Sequence, residues 1–182
     1  MIGIGGTIYL SLLNSGDKII GAIMFCIGLI SICYFQLPLF TGKVGYLIKN
    51  EVNIKDLAFI LLGNILGASI IGITISYIRP ELHILAHSIV KTKHNMNIIT
   101  ILINSILCGI LMFIAVDIYK EKKSNIGILF AIPVFILSGF EHSIAYIFYA
   151  GVARDLNILI LSIMVVGNSL GGFIIPLIKK YC

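Results

Sequence analysis

Charge is what this sequence has least of. Of its 182 residues, 12% are Asp, Glu, Lys or Arg, while 59% are hydrophobic. Soluble domains carry about 25% charged and about 45–50% apolar residues. With about half that charge, a water-soluble domain of this size could not cover its surface. Intrinsic disorder is excluded by the same figures, since it requires low hydrophobicity and high charge. Paired cysteines are missing as well. Cys26, Cys33, Cys108 and Cys182 show no C-x-x-C spacing, so no zinc site or disulfide framework is implied, and those inside apolar runs read as small apolar filler. Met1–Leu13 does not read as a convincing signal peptide either. No positive segment precedes Met1–Leu13, and Asn14-Ser15-Gly16-Asp17-Lys18 is not a small-residue cleavage site.

The chain is instead rich in apolar length. Five stretches, Ile19–Phe40, Leu57–Ile78, Ile98–Tyr119, Ile126–Gly151 and Ile158–Ile178, each approach or exceed the roughly 20 residues that cross a bilayer as a helix. Met1–Leu13 is apolar but about half that length, and reads as the second half of an incomplete first span. The expectation is an all-α integral membrane protein. Its net charge of +5 would suggest nucleic acid in a soluble protein. Here it reflects Lys and Arg gathered in membrane loops, and no nucleic-acid partner is expected.

Those cations set an orientation. If the loop after the partial span faces out, the inner side holds Lys43, Lys49, Lys55, Lys120, Lys122, Lys123, Lys179 and Lys180. The outer side holds Lys18, Arg79, Lys91, Lys93 and Arg154. Positive charge favours the cytoplasmic face, so the C-terminus is expected inside a plasma membrane crossed several times. Pro80-Glu81 opens the longest loop, Arg79–Asn97, and reads as the start of a short surface helix.

Internal symmetry points to the architecture. Gly63-Asn64-Ile65-Leu66-Gly67-Ala68 and Gly167-Asn168-Ser169-Leu170-Gly171-Gly172 share the pattern G-N-x-L-G-small. A little over twenty residues before each lies an interrupted apolar run: Gln36-Leu37-Pro38-Leu39-Phe40-Thr41-Gly42-Lys43, and Leu137-Ser138-Gly139-Phe140-Glu141-His142-Ser143. The order of broken helix then G-N-x-L-G helix thus occurs twice, in halves of about 1–90 and 91–182. Three spans per half turn the two copies opposite ways in the bilayer, an inverted repeat common among channels and transporters. The whole chain then forms one transmembrane domain.

Pro38 removes a backbone donor, and Gly42 and Gly139 weaken helix. Irregular backbone at membrane depth is tolerated only against protein or a water-filled cavity, so paired breaks point to a pore that both line. Gly63, Asn64, Gly67, Gly167, Asn168, Gly171 and Gly172 read as scaffold, small residues that let helices approach while Asn bonds across the contact. Glu141-His142 is the main functional clue. A charge at the bilayer centre costs roughly 2.5–3.5 kcal/mol on insertion scales, so such residues face a cavity or a partner. Imidazole opposite Thr41 could donate a hydrogen bond, or when protonated a proton, to an anion.

At these positions the chain resembles the formate/nitrite transporter family. The resemblance is carried by Phe40-Thr41-Gly42, by Gly139-Phe140-Glu141-His142-Ser143-Ile144-Ala145 and by Gly167-Asn168-x-x-Gly171-Gly172. It implies an aquaporin-like fold of three plus three spans with broken second and fifth helices, here with the first span incomplete. It also implies a homopentamer in which each protomer holds a pore for small monovalent anions, with protons as partners and no cofactor or metal. The resemblance assigns His142, Glu141 and Thr41 to the pore centre. It assigns Phe25 and Phe135 to an outer constriction, Leu29 and Leu39 to an inner one, and Lys93 to the vestibule. From the residues alone, Phe25, Leu29 and Phe135 read as packing or lipid-facing. The chain departs from the family at Gly109 and at Tyr146, where asparagines are usual.

Two other readings come from the residues. His83, His87 and His94 suggest a metal-ion transporter, since His83 and His87 stand at i,i+4. No carboxylate or histidine array lies within the other spans, however, as metal pathways require. The short first span suggests a scaffold that does not transport. An enzyme is the least favoured reading: Ser138 and Ser143 flank His142 in sequence, but no separate base and acid accompany them.

Overall fold

The computed structural model describes residues 1–181, and Cys182 lies outside them. Among the described residues all regular structure is helical. Helix α1 spans Ile2–Asn14, α2 Lys18–Met24 and α3 Cys26–Tyr34, with α4 a single turn at Phe40–Lys43. A 3-10 turn, Val44–Leu47, leads to α5, Ile54–Ile78, and then α6, Pro80–His94. The second half holds α7, Ile98–Lys122, α8, Ile126–Leu137, α9, Ser143–Ala153, and α10, Ile158–Tyr181. Three of these, α5, α7 and α10, are long and apolar enough to cross a membrane.

Helix starts follow local chemistry. The side chain of Asn53 accepts from the Asp56 backbone N–H, and that of Asn97 from Ile99, supplying partners for donors that a first turn leaves unpaired. Pro80 occupies the first turn of α6, where its missing N–H costs nothing. The expected run Ile19–Phe40 is not one helix: α2 and α3 meet at Phe25, and regular structure stops at Tyr34. The run Ile126–Gly151 stops at Leu137 and resumes at Ser143.

The two stops share a geometry. After α3, Gln36 is left-handed (φ 54°); its N–H donates to Cys33 C=O and that of Leu37 to Ile32 C=O. After α8, Gly139 is left-handed (φ 73°); its N–H donates to Ile136 C=O and that of Phe140 to Phe135 C=O. Each pair of bonds closes a helix C-terminus. Gly42, expected to weaken a helix, lies within α4, where a Cβ would stand 2.9 Å from Val116 Cγ2. It therefore acts by permitting close approach.

The densest packing joins α7 to α10. A Cβ on Gly109 would collide with the Asn168 carbonyl, one on Gly171 with the Ile106 carbonyl, and one on Gly167 would lie 2.5 Å from Ser105 Cβ. The scaffold role expected of Gly167 and Gly171 has this physical content, and Gly172 faces Val44 in the same way. Gly63 and Gly67 differ: no heavy atom lies within 4 Å of either added Cβ, and both border a cavity shared with Ile2, Pro38 and Leu39. Periodicity alone does not distinguish a glycine face that is covered from one that is open.

Candidate functional site

The site forms where the two interruptions meet. Leu39 and His142 are both extended residues heading a new helix (φ −117° and −107°). This turns Thr41, in α4, toward the ring of His142. Thr41 Oγ1 lies 2.9 Å from His142 Nε2, and both residues are buried.

The ring's other nitrogen sets its tautomer. The Ala145 backbone N–H donates to His142 Nδ1 at 3.0 Å. An N–H cannot accept, so Nδ1 is bare and the neutral imidazole carries its hydrogen on Nε2. Nε2–H then donates to Thr41 Oγ1, which leaves the threonine's own hydrogen available to a third group. The Phe135 ring stacks on the imidazole at 5.7 Å between centroids, and Phe25 meets Phe135 edge-on at 6.2 Å. The aromatic pair is thus joined directly to the polar centre. Leu29 and Leu39 are buried, and Leu39 stands immediately before α4.

Glu141 makes no side-chain hydrogen bond to its neighbour His142. Its carboxylate pairs with Lys93, while the ring of His142 is fixed by Ala145 and Thr41. Glu141 is 2% exposed and Lys93 15%. So buried a pair is held by direct contact, because each ion alone would be costly to desolvate.

The two asparagines of the repeated pattern have matching tasks. Asn64 accepts from the Phe40 N–H (2.8 Å) and donates to the Pro38 carbonyl (3.1 Å). Asn168 accepts from the Ser143 N–H (2.9 Å) and donates to the carbonyls of Glu141 (2.8 Å) and Ser105 (2.9 Å). Each amide replaces backbone partners lost at an interruption, which irregular backbone in an apolar setting requires.

Two cavities flank the centre. One, about 300 Å³, is lined by Lys18, Lys93, Glu141, His142, Phe135 and Tyr146, among others. The second, about 240 Å³, includes Leu39, Lys43, Tyr46, Lys120 and Lys123 in its wall. Tyr146, one departure from the family pattern, is bonded outward: its hydroxyl accepts from the Asn157 N–H (3.1 Å) and lies 3.0 Å from His94 Nε2. His94 therefore belongs to this cluster. His83 and His87 stack on α6 with ring centroids 6.2 Å apart, and among the described residues no third ligand joins them.

Asp117 escaped sequence reasoning. Its buried carboxylate accepts from Lys49 (2.9 Å), Lys179 (2.8 Å) and the Tyr46 hydroxyl (3.1 Å), tying α7 to α10 and to the 3-10 turn. The available signal was an acidic residue inside the Ile98–Tyr119 run.

Comparison with known proteins gives this geometry a context. A pentameric formate channel with formate bound has the same fold, with a TM-score of 0.81 at 20% identity over 99% of this chain and 91% of that one. An ion channel of the FNT family matches with a TM-score of 0.84 at 20% identity, over 99% and 84%. No curated protein matches the sequence. The family and these structural neighbours are channels and transporters rather than enzymes. The profile of the formate/nitrite transporters matches residues 1–181, so the chain, an integral membrane protein with long apolar helices, belongs to the formate/nitrite transporter family.

Proposed function

We propose that the chain conducts small monovalent weak-acid anions (formate, nitrite, hydrosulfide or short carboxylates) through a pore centred on His142 and Thr41. The observation that carries this reading is the 2.9 Å contact between Thr41 Oγ1 and His142 Nε2, with a cavity on either side. Lys18 and Lys93 raise the local anion concentration in the larger cavity. The Glu141 carboxylate cancels part of that field, and this tempers retention of the anion. At Phe25 and Phe135 a full charge is costly, because the rings offer no hydrogen bonds.

At the centre the anion takes a hydrogen bond from the Thr41 hydroxyl and a second from Nε2–H as the ring's bond to Thr41 opens. A proton drawn from the vestibule then makes the weak acid neutral, and a neutral acid passes Leu29 and Leu39 at little cost. Water in the vestibule suits the donor role better than the ring does. An imidazolium would carry hydrogen on Nδ1 and lose its bond to the Ala145 N–H.

The matched closures at Gln36 and Gly139, with the matched duties of Asn64 and Asn168, support an inverted repeat of three plus three spans with broken second and fifth helices. The pentameric neighbour supports a homopentamer, with the open α5 face at Gly63 and Gly67 turned to the next subunit. The lysine bias favours a cytoplasmic C-terminus in the plasma membrane.

The test is formate, nitrite and hydrosulfide flux into liposomes for the native chain, His142→Ala and Thr41→Ala. The native chain should conduct and both variants should lose at least about tenfold, the rate equivalent of one hydrogen bond to a charged group. Equal flux in all three would remove the site assignment.

A further inference from the structure

The cavity beyond Leu39 has features that passage of a monovalent anion does not require. Lys43, Lys120 and Lys123 line it, and no carboxylate belongs to its wall. Lys120 pairs with Glu51, and Asp117 is engaged by Lys49, Lys179 and Tyr46. Lys43 and Lys123 have no carboxylate within 4 Å among the described residues. The ammonium groups are arranged over aromatic faces: Lys43 and Lys120 over Tyr46 (5.9 and 4.2 Å), Lys123 over Tyr119 (5.8 Å). The volume of about 240 Å³ is several times the roughly 30 Å³ that one water occupies in the liquid. It has room for a compact polyanion with some of its hydration.

We propose that this cavity binds a soluble polyvalent oxyanion of the pyrophosphate type, held by Lys43, Lys120 and Lys123, and that the bound anion plugs the pore. The plugging rests on the channel reading above; the binding does not. The physical basis is charge. Attraction to the ammonium groups of Lys43 and Lys123, unpaired among the described residues, grows with the charge of the ligand, while the cost of desolvating an ion grows with the square of its charge. A divalent or higher anion therefore enters the lysine-lined mouth and is stopped at Leu39, whereas a monovalent weak acid passes once protonated.

The probe is inorganic pyrophosphate, titrated calorimetrically into the purified full chain in nanodiscs of zwitterionic lipid. Binding is expected, weakened at least about tenfold in Lys43→Gln/Lys123→Gln and retained in Lys43→Arg/Lys123→Arg, with both variants eluting as the native oligomer. Absence of binding, or equal affinity in the glutamine variant, would overturn the site. The titration is repeated in phosphatidylglycerol nanodiscs. Binding that survives there supports a soluble ligand, and its loss assigns the cavity to lipid phosphate and overturns the proposal.

Formate flux is then measured with pyrophosphate on each side of the liposome membrane. Inhibition from one side only, relieved in the glutamine variant relative to its own uninhibited rate, supports the plug. Equal inhibition from both sides, or none despite binding, overturns it. A native chain that binds pyrophosphate but passes no formate in its absence retains the site and refutes the channel reading.

Discussion

The matched asparagines predict unequal costs of removal. Asn168 is fully buried and satisfies one N–H and two carbonyls. Hydrogen bonds between membrane helices average about 0.6 kcal/mol, so three give a floor near 2 kcal/mol for Asn168→Ala. Each polar group orphaned away from water adds to this, at about 1–3 kcal/mol where no substitute partner reaches it. A loss of about 2–5 kcal/mol is expected. Asn64 satisfies two groups and is only partly buried, so Asn64→Ala should cost about 1 kcal/mol.

Asn168→Asp separates bonding from packing. It preserves volume and the acceptor for Ser143, but sets an oxygen against the carbonyls of Glu141 and Ser105. It should destabilise at least as much as alanine. The assay is thermal unfolding in detergent read by a thiol-reactive dye, since Cys26 and Cys108 are buried and react only on unfolding. Equal shifts for the two alanine variants, or a native-like Asn168→Asp, would refute the reasoning.

Other variants probe separate links. Gly109→Ala should separate α7 from α10, because its Cβ meets the Asn168 carbonyl; a loss of about 1–3 kcal/mol or more is expected in the same assay. Lys93→Met or Glu141→Gln alone leaves one member of a buried pair without its counterpart and should cost about 3–5 kcal/mol, while Lys93→Met/Glu141→Met should recover much of that loss. If transport requires a proton, formate influx at fixed total formate should rise as external pH falls, and a flat profile in the stopped-flow assay would contradict proton coupling. His142→Gln should unfold at nearly the native temperature yet conduct poorly, since an amide can accept from the Ala145 N–H but offers a different donor geometry to the pore; native flux in that variant would contradict the role given to Nε2.

Much of the site was legible because each signal was local. Glu141 and His142 are conspicuous as ionisable residues deep in an apolar run, and Pro38 and Gly139 mark interruptions wherever they stand in a membrane span. The Asn64 and Asn168 patterns announced helix contacts, but their role as substitutes for missing backbone partners depends on residues 24 to 27 positions away. The pairing of Glu141 with Lys93 was hidden for the same reason: the two stand 48 positions apart, and the extended backbone at His142 points consecutive side chains apart. Asp117 went unnoticed because its three partners come from the 3-10 turn, the loop after it and the last helix.

What the sequence determined alone was the environment. Twelve per cent charged residues and runs of about twenty apolar ones leave little choice besides a bilayer, because the cost of exposing or burying surface sums over residues irrespective of their partners. Tertiary structure decided which groups face one another. It set the tautomer of His142 through Ala145, gave the carboxylate of Glu141 to Lys93, closed Gly167 and Gly171 against α7, and left Gly63 and Gly67 open. Hydrogen bonds and close contacts are short-ranged and directional, so their partners exist only once distant segments have been brought within about 3–4 Å.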